Sequence, residues 1–183
     1  EILSNPLVVL ILSTLEILIS NWSYESVFKY VKSGLIKLDR EFIDKLENHI
    51  LLNGIRGYRW TGELLKEIEE PSKDEIEIAE IMEEIRRPII NLYRKVGNEN
   101  SVKEYCIALY ELLVEINALE TIDEWIDEFE KIGLQDKVKE YSQVPQIVMD
   151  ILDQAVEVLG DEVTDIKTFA RILSSGFEEY EVG

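Results

Sequence analysis

The chain has 183 residues and is strongly acidic, since 38 Asp and Glu against 19 Lys and Arg give a formal net charge of −19. Its length fits one ordinary domain or two small ones, and its 46% hydrophobic residues are ample for a core. The start, EILSNPLVVLILS, lacks a basic region and an initiator Met, which speaks against a signal peptide and leads us to expect a piece of a longer protein. The apolar run from Leu7 to Leu12 is too short for a membrane span. Cys106 is the single cysteine, which excludes an internal disulfide and predicts a reducing, cytoplasmic setting.

The negative charge is concentrated in the second part of the chain. Residues 1–60 contain seven acids and seven bases, whereas residues 61–183 contain 31 acids and 12 bases. A surface as acidic as the second part repels polyanions. Any contact with nucleic acid is therefore expected in the first third.

Three helices are predicted in the first third. They run from Pro6 to about Asn21, from a cap at Ser23 to Gly34, and from a cap at Asp39 to Gly54. The first helix is apolar on most sides, which predicts central burial. The residues expected to share a core are Leu10, Leu15, Leu18, Phe28, Leu46 and Ile50.

Helical periodicity continues through the acidic part. One predicted helix runs from about Gly62 to Glu70, and a long one begins at Ser72 or Asp74 and bends at Pro88. A further helix begins at Ser101, and another contains Ile122 and ends at Gly133. The last two run from Pro145 to Gly160 and from about Thr164 to Ser175. No segment has convincing strand alternation, so we predict an all-α, multi-helix orthogonal or bundle-like fold without a sheet. We expect a single domain over 1–183, with a three-helix unit and a contact loop in 1–60 and an acidic helical part in 61–183.

The sequence offers no convincing catalytic or metal-binding pattern. The only histidine, His49, is one residue away from the apolar positions of its helix, which favours a partly buried or solvated side chain over a catalytic one. The carboxylates of the segment DEWIDEFE are typical of a solvated helix face. We therefore predict no catalytic residue, no metal site and no bound cofactor in this chain.

One motif comes close to a nucleotide site. Gly57 and Gly62 have the G-x-x-x-x-G spacing of a phosphate loop. The next residues are Glu63 and Leu64, where that loop requires Lys and Ser or Thr to hold phosphates and magnesium. An acid at this point repels a triphosphate, so the motif predicts no nucleotide binding.

The segment NGIRGYRW, residues 53–60, is the strongest candidate for a binding function. Arg56 and Arg59 carry donors suited to phosphate oxygens, and Gly54 and Gly57 allow backbone N–H groups to approach a ligand closely. Two interpretations stay open. In the first, the loop makes a weak contact with a phosphate backbone through residues 54–60, with Trp60 packed inward as its anchor. In the second, it is a purely structural helix cap and interdomain hinge, with Tyr58 and Trp60 in the core.

The order of motifs NWSYESVFKYVKSGL…LENH…GIRGYRW resembles the AddB-type, or RexB-type, subunit of bacterial ATP-dependent helicase–nucleases. The tail IVMDILDQAVEVLGDEVTDIKTFARILSSGFEEYEVG is also similar to that family, whereas the middle of the chain matches mainly in its helical texture. The resemblance implies a fragment of a superfamily 1 helicase-like protein, namely the helical insertion of its second core domain, called 2B.

What this resemblance implies is an accessory role without catalysis of its own. The family acts in double-strand-break repair and recombination and uses ATP, magnesium and an iron–sulfur cluster, none of which has counterpart residues here. In related helicases the 2B domain has a Gly-Ile-Gly-type turn on duplex phosphates, and Gly54-Ile55-Arg56-Gly57 occupies that place with Arg56 at the second glycine. Implied partners are DNA, an AddA-type or RexA-type subunit and the rest of the parent chain, with no membrane. The alternative function is an acidic all-α protein–protein interaction module without DNA contact.

Overall fold

A computed structural model describes residues 1–182 and confirms the all-α class. A 3-10 turn at Ile2–Ser4 precedes the α-helices of the described chain, which are α1 (Pro6–Ile19), α2 (Tyr24–Lys32), α3 (Arg40–Asn53), α4 (Tyr58–Thr61), α5 (Lys73–Val96), α6 (Val102–Glu115), α7 (Ala118–Lys131), α8 (Gln135–Leu159) and α9 (Ile166–Val182). Two short strands, β1 (Glu99–Ser101) and β2 (Val163–Asp165), complete the described elements.

Capping side chains explain where several of the helices begin. The Asn5 side chain accepts a hydrogen bond from the N–H of Leu7, directly before Pro6 at the first position of α1. Ser23 caps α2, and Ser72 forms a capping box at the start of α5. These predicted starts are confirmed. Asp39 stands at the predicted cap of α3, but its side chain accepts no hydrogen bond from that helix.

One predicted helix is absent, and the bounds of two others differ from the prediction. Residues 62–72 form turns and bends instead of a helix from Gly62 to Glu70. Pro145 lies inside α8 instead of starting it, because α8 follows α7 directly through the left-handed turn at Gly133. The last helix begins at Ile166 rather than Thr164 and continues past Ser175 to Val182.

The prediction of a fold without any sheet is also wrong. Strands β1 and β2 pair antiparallel, with Asn100 opposite Thr164. Each strand has only three residues, which is too short to show alternation in the sequence. The pair joins the α5–α6 connection to the α8–α9 connection and so links two distant parts of the chain.

Helix α1 lies at the centre of the molecule, as predicted. It packs against α2 and also against α9, near the other end of the described chain. Of the expected core residues, Leu18 is partly buried against the core and the others are buried, namely Leu10, Leu15, Phe28, Leu46 and Ile50. Buried residues of both predicted subregions form one continuous cluster.

Every helix in the described residues is too short or too polar to cross a bilayer.

Candidate nucleic-acid interface

The candidate site is the contact loop, which we define as residues Asn53–Trp60 between α3 and α4. Gly54 ends α3 in the left-handed conformation, with φ 56° and ψ 41°, as predicted. Gly57 then turns the chain into α4 with φ 60° and ψ −129°, a conformation that residues with a side chain rarely adopt. Glycine is therefore required at position 57, whereas the conformation at Gly54 is one that glycine favours but that Asn117 also adopts in this chain.

An aromatic stack fixes the loop to the turn between α1 and α2. Trp60 is only 1% exposed and stacks on Trp22, with ring centroids 5.4 Å apart. The N–H of Gly57 donates to the carbonyl oxygen of Asn21 at 3.1 Å. Asn21 and Trp22 themselves have positive φ values of 54° and 65°. The predicted inward packing of Trp60 is confirmed.

Arg86 of α5 holds the loop from a second side. Its Nη1 donates to the carbonyl oxygen of Trp60 at 2.9 Å and also to the carbonyl oxygen of Gly62. Glu83, one turn earlier, pairs with the Arg86 guanidinium and orients it. Sequence reasoning missed Arg86, Asn21 and Trp22, because no local spacing connects them with the loop.

The two arginines of the loop have different environments. Arg59 is exposed, and its Nη1 donates to the carbonyl oxygen of Asn53 at 2.6 Å. This contact places a cation at the negative end of the α3 dipole, a structural role within the chain. Arg56 is exposed and forms no ion pair with the residues that the structure describes. Arg56 is thus the arginine with its full set of donors available.

The backbone of the loop also offers unused donors. The N–H groups of Gly54 and Ile55 donate to the carbonyl oxygen of Ile50, and the N–H of Gly57 donates to the carbonyl oxygen of Asn21. Those of Arg56 and Tyr58 have no acceptor within residues 1–182. Two amides beside a free guanidinium are the kind of donor group that binds a phosphate oxygen.

Apolar side chains lie beside these donors. Leu52, at the end of α3, is 85% exposed, and Tyr58 is 75% exposed. Leu51 is exposed as well. The initial possibility that Tyr58 belongs to the core is therefore wrong. The exposed tip combines cationic, amide and apolar groups and is suited to contact with a macromolecule.

Charges around the loop limit its attraction for anions. The segment after α4 carries Glu63, Glu67, Glu69 and Glu70 against one base, Lys66. His49 is half-buried under the loop, where Asn53 lies within 3.4 Å of its Nδ1. Burial lowers the pKa of His49, Glu75 raises it, and the nearby Arg59 lowers it. The net effect lowers the pKa of His49 and so favours its neutral form.

Neither the segment between Gly57 and Gly62 nor the single cysteine has the structure that a cofactor site of the resembled helicase–nuclease family requires. The segment between Gly57 and Gly62 forms α4 and packs Trp60 inward, so it does not wrap around a phosphate, and Glu63 follows it. Burial raises the pKa of the lone Cys106 thiol to about 12, which makes it a poor cluster ligand or nucleophile. Residues 1–182 contain no group of three or more side chains placed to hold a metal ion.

The sequence of the chain is similar to one kind of known protein along its whole length. Along its whole length it is 44% identical to the B subunit of the ATP-dependent helicase/deoxyribonuclease of Clostridium botulinum (strain Loch Maree / Type A3). The chain matches the AddB-type subunit of these helicase/deoxyribonucleases. AddB-type subunits of Clostridioides difficile (strain 630) and Caldanaerobacter subterraneus subsp. tengcongensis are 42% and 41% identical, again over 100% of the chain.

The chain spans only 17% of the length of these AddB-type relatives. No family model matches it. The resemblance to AddB-type subunits is therefore confirmed for this segment. No comparison tests the roles of Gly54, Arg56, Gly57 and Arg59, which stay predictions.

Proposed function

We propose that this chain is a non-catalytic helical accessory domain of a longer AddB-type subunit of an ATP-dependent helicase/deoxyribonuclease, and that its contact loop positions duplex DNA. The identity of 41–44% along the whole chain supports the placement in an AddB-type protein. In this proposal the nucleotide, magnesium and iron–sulfur sites lie elsewhere in the longer protein. The domain is a 2B-like insertion that acts in double-strand-break repair and recombination.

The observation that carries the DNA contact is the exposed donor group of the loop. The Arg56 guanidinium lies on the exposed tip of the loop with the free N–H groups of Arg56 and Tyr58. The buried side chain of Trp60 anchors this tip to the core. A fixed tip loses little conformational freedom when it binds a phosphate backbone. The acidic remainder of the chain repels DNA and so confines it to this tip.

The test is a DNA-binding measurement on the full-length AddB-type protein in its assembled complex. Arg56→Ala/Arg59→Ala should weaken duplex binding, measured by fluorescence anisotropy at low salt. The matched control is Lys29→Ala/Arg40→Ala, which removes the same charge from exposed positions outside the loop. If both variants lose the same affinity, only bulk charge matters and the loop has no dedicated contact.

A second candidate function is a protein contact by the same tip. Leu52 is 85% exposed at the end of α3 and favours a protein contact, because an apolar side chain contributes nothing to binding a phosphate. Leu52→Ser should then weaken association with the companion subunit and leave duplex binding unchanged. The reverse result would favour the DNA contact.

A further inference from the structure

A groove outside the contact loop lies where α6, α7 and α8 meet. Its volume is about 170 Å³, and its lining is largely apolar. The residues that line it include Tyr110, Leu113, Val114, Leu119, Glu120 and Met149. Leu113 is buried and forms the floor, whereas Tyr110, Val114 and Leu119 are exposed at 46%, 55% and 37%.

An exposed apolar stripe extends this groove along α6. Ile107, Tyr110 and Val114 follow one another at spacings of three and four residues, so they lie on one face of the helix. All three are exposed although α6 has its own buried face. A contiguous exposed apolar surface with a tyrosine at its centre is typical of a protein-binding site.

The charge around the groove indicates what kind of partner fits it. Residues 102–159, which contain α6, α7 and α8, carry fourteen acids and four bases. Glu120 lines the groove itself, and Asp150 and Asp153 flank Met149 on α8. Such a surround repels nucleic acid and attracts a segment rich in Lys or Arg.

We propose that this groove binds a basic, apolar-anchored segment of the companion subunit. This inference rests on the proposed function, because the relatives are by name subunits of an assembly. Apolar side chains of the segment fill the space between Tyr110, Val114 and Met149. Its bases lie against the carboxylates of α7 and α8, which sets the orientation of the segment.

The first experiment is site-specific photo-cross-linking in the assembled complex of full-length proteins. A benzoylphenylalanine replaces Tyr110, and Lys167, exposed on α9, is replaced in the control. We expect a cross-link from position 110 to a Lys- or Arg-rich segment of the companion subunit. Cross-links only within the AddB-type protein itself, to DNA, or to nothing would overturn the proposal.

The second experiment measures association of the two subunits by biolayer interferometry. Tyr110→Lys/Val114→Lys should weaken it by about tenfold or more, since it places cations opposite a basic segment and removes the anchor contacts. Ile132→Lys/Val158→Lys makes the same charge change at apolar residues exposed at 68% and 71% outside the groove, and should have little effect.

Equal losses in the two variants would show that only bulk charge acts and would overturn the proposal. Duplex binding by the same proteins reports on the contact loop separately. A groove variant that loses association but keeps DNA affinity distinguishes the two sites. Thermal unfolding of each variant confirms that the exposed substitutions leave the fold intact.

Discussion

Trp60 and Tyr58 lie two residues apart in the contact loop and have opposite environments. Trp60 is buried on Trp22, whereas Tyr58 points to solvent. We predict that Trp60→Ala lowers the free energy of unfolding by about 3–5 kcal/mol, because it leaves a cavity and removes the aromatic stack. Tyr58→Ala should change it by no more than about 0.5 kcal/mol. Urea unfolding followed by circular dichroism measures both.

Similar losses for the two variants would contradict this prediction. They would mean that the loop is held by its backbone contacts to Asn21 and Arg86 and that the stack adds little.

The pKa of His49 can report on what the contact loop binds. It is the only histidine of the sequence, and its pKa is lowered by burial first and by the charge of Arg59 second. We predict that Arg59→Ala raises the pKa of His49, because a repelling cation is removed. Bound duplex DNA should raise it as well, since a phosphate favours the imidazolium. Proton NMR of the one imidazole, titrated with pH, measures both shifts.

The sign of the stability effect follows from the same shift. The pKa of His49 is lower in the folded chain than in the unfolded one, so the unfolded chain binds more protons between the two values. Stability from this residue is fully present above the unfolded pKa and is lost as the pH falls through the folded pKa. An unchanged His49 pKa on DNA addition would place the duplex away from the loop.

Among the helices, α8 and α9 approach closely at Gly176. A Cβ atom at this position would lie 3.1 Å from Cγ2 of Ile151. We predict that Gly176→Leu lowers the free energy of unfolding by about 1–3 kcal/mol, because the larger side chain overpacks the contact. Ser175→Leu changes an adjacent, exposed position of the same helix and should be nearly neutral.

A thermal melt of the two variants is sufficient for this comparison. If Gly176→Leu were as stable as its neighbour, α8 and α9 would have room to move apart at this point.

Element prediction from the sequence succeeded where the deciding interaction is local. The cap at Ser72 and the left-handed end of α3 at Gly54 each depend on residues within one turn. It failed where the deciding contact is distant. Strand β1 exists because β2 pairs with it, and α4 forms at Tyr58–Thr61 where Trp60 packs on Trp22. The helix start predicted at Pro145 was wrong, because a long helix that packs against other helices can contain a proline despite the hydrogen bond that it loses there.

The sequence predicted which residues make up the candidate site but not the contacts that hold them in place. The glycines and arginines of the loop stand out in the sequence, and the structure does place them together on an exposed tip. The use of Arg59 as a cap for Asn53, and the support from Arg86 in another helix, depend on the folded chain. These contacts give Arg56 and Arg59 different environments.

At the scale of the whole molecule, the chain has a net charge of −19, and added salt should act on its folding and on its DNA binding in opposite directions. Repulsion among the acids destabilises the compact chain, and salt screens it because the Debye length falls from about 10 Å at 0.1 M to about 3 Å at 1 M. We predict that the urea midpoint of unfolding rises with sodium chloride. Ion pairs such as Lys45–Asp74 and Lys95–Glu111 are exposed and oppose this trend only slightly.

DNA binding through the loop should respond to the same salt with the opposite sign. The two arginines release at most about two counterions, because Arg59 keeps its charge while its Nη1 caps α3. The affinity should therefore fall with a log–log slope no steeper than about −1.8, or by at most about 60-fold between 0.05 and 0.5 M salt. Arg56→Ala/Arg59→Ala should flatten this slope and leave the salt dependence of unfolding nearly unchanged. Fluorescence anisotropy and urea unfolding across the same salt series measure both quantities. An unfolding midpoint that fell with salt would show that the exposed ion pairs outweigh the repulsion, and a slope that the double variant kept would place the DNA contact elsewhere on the protein.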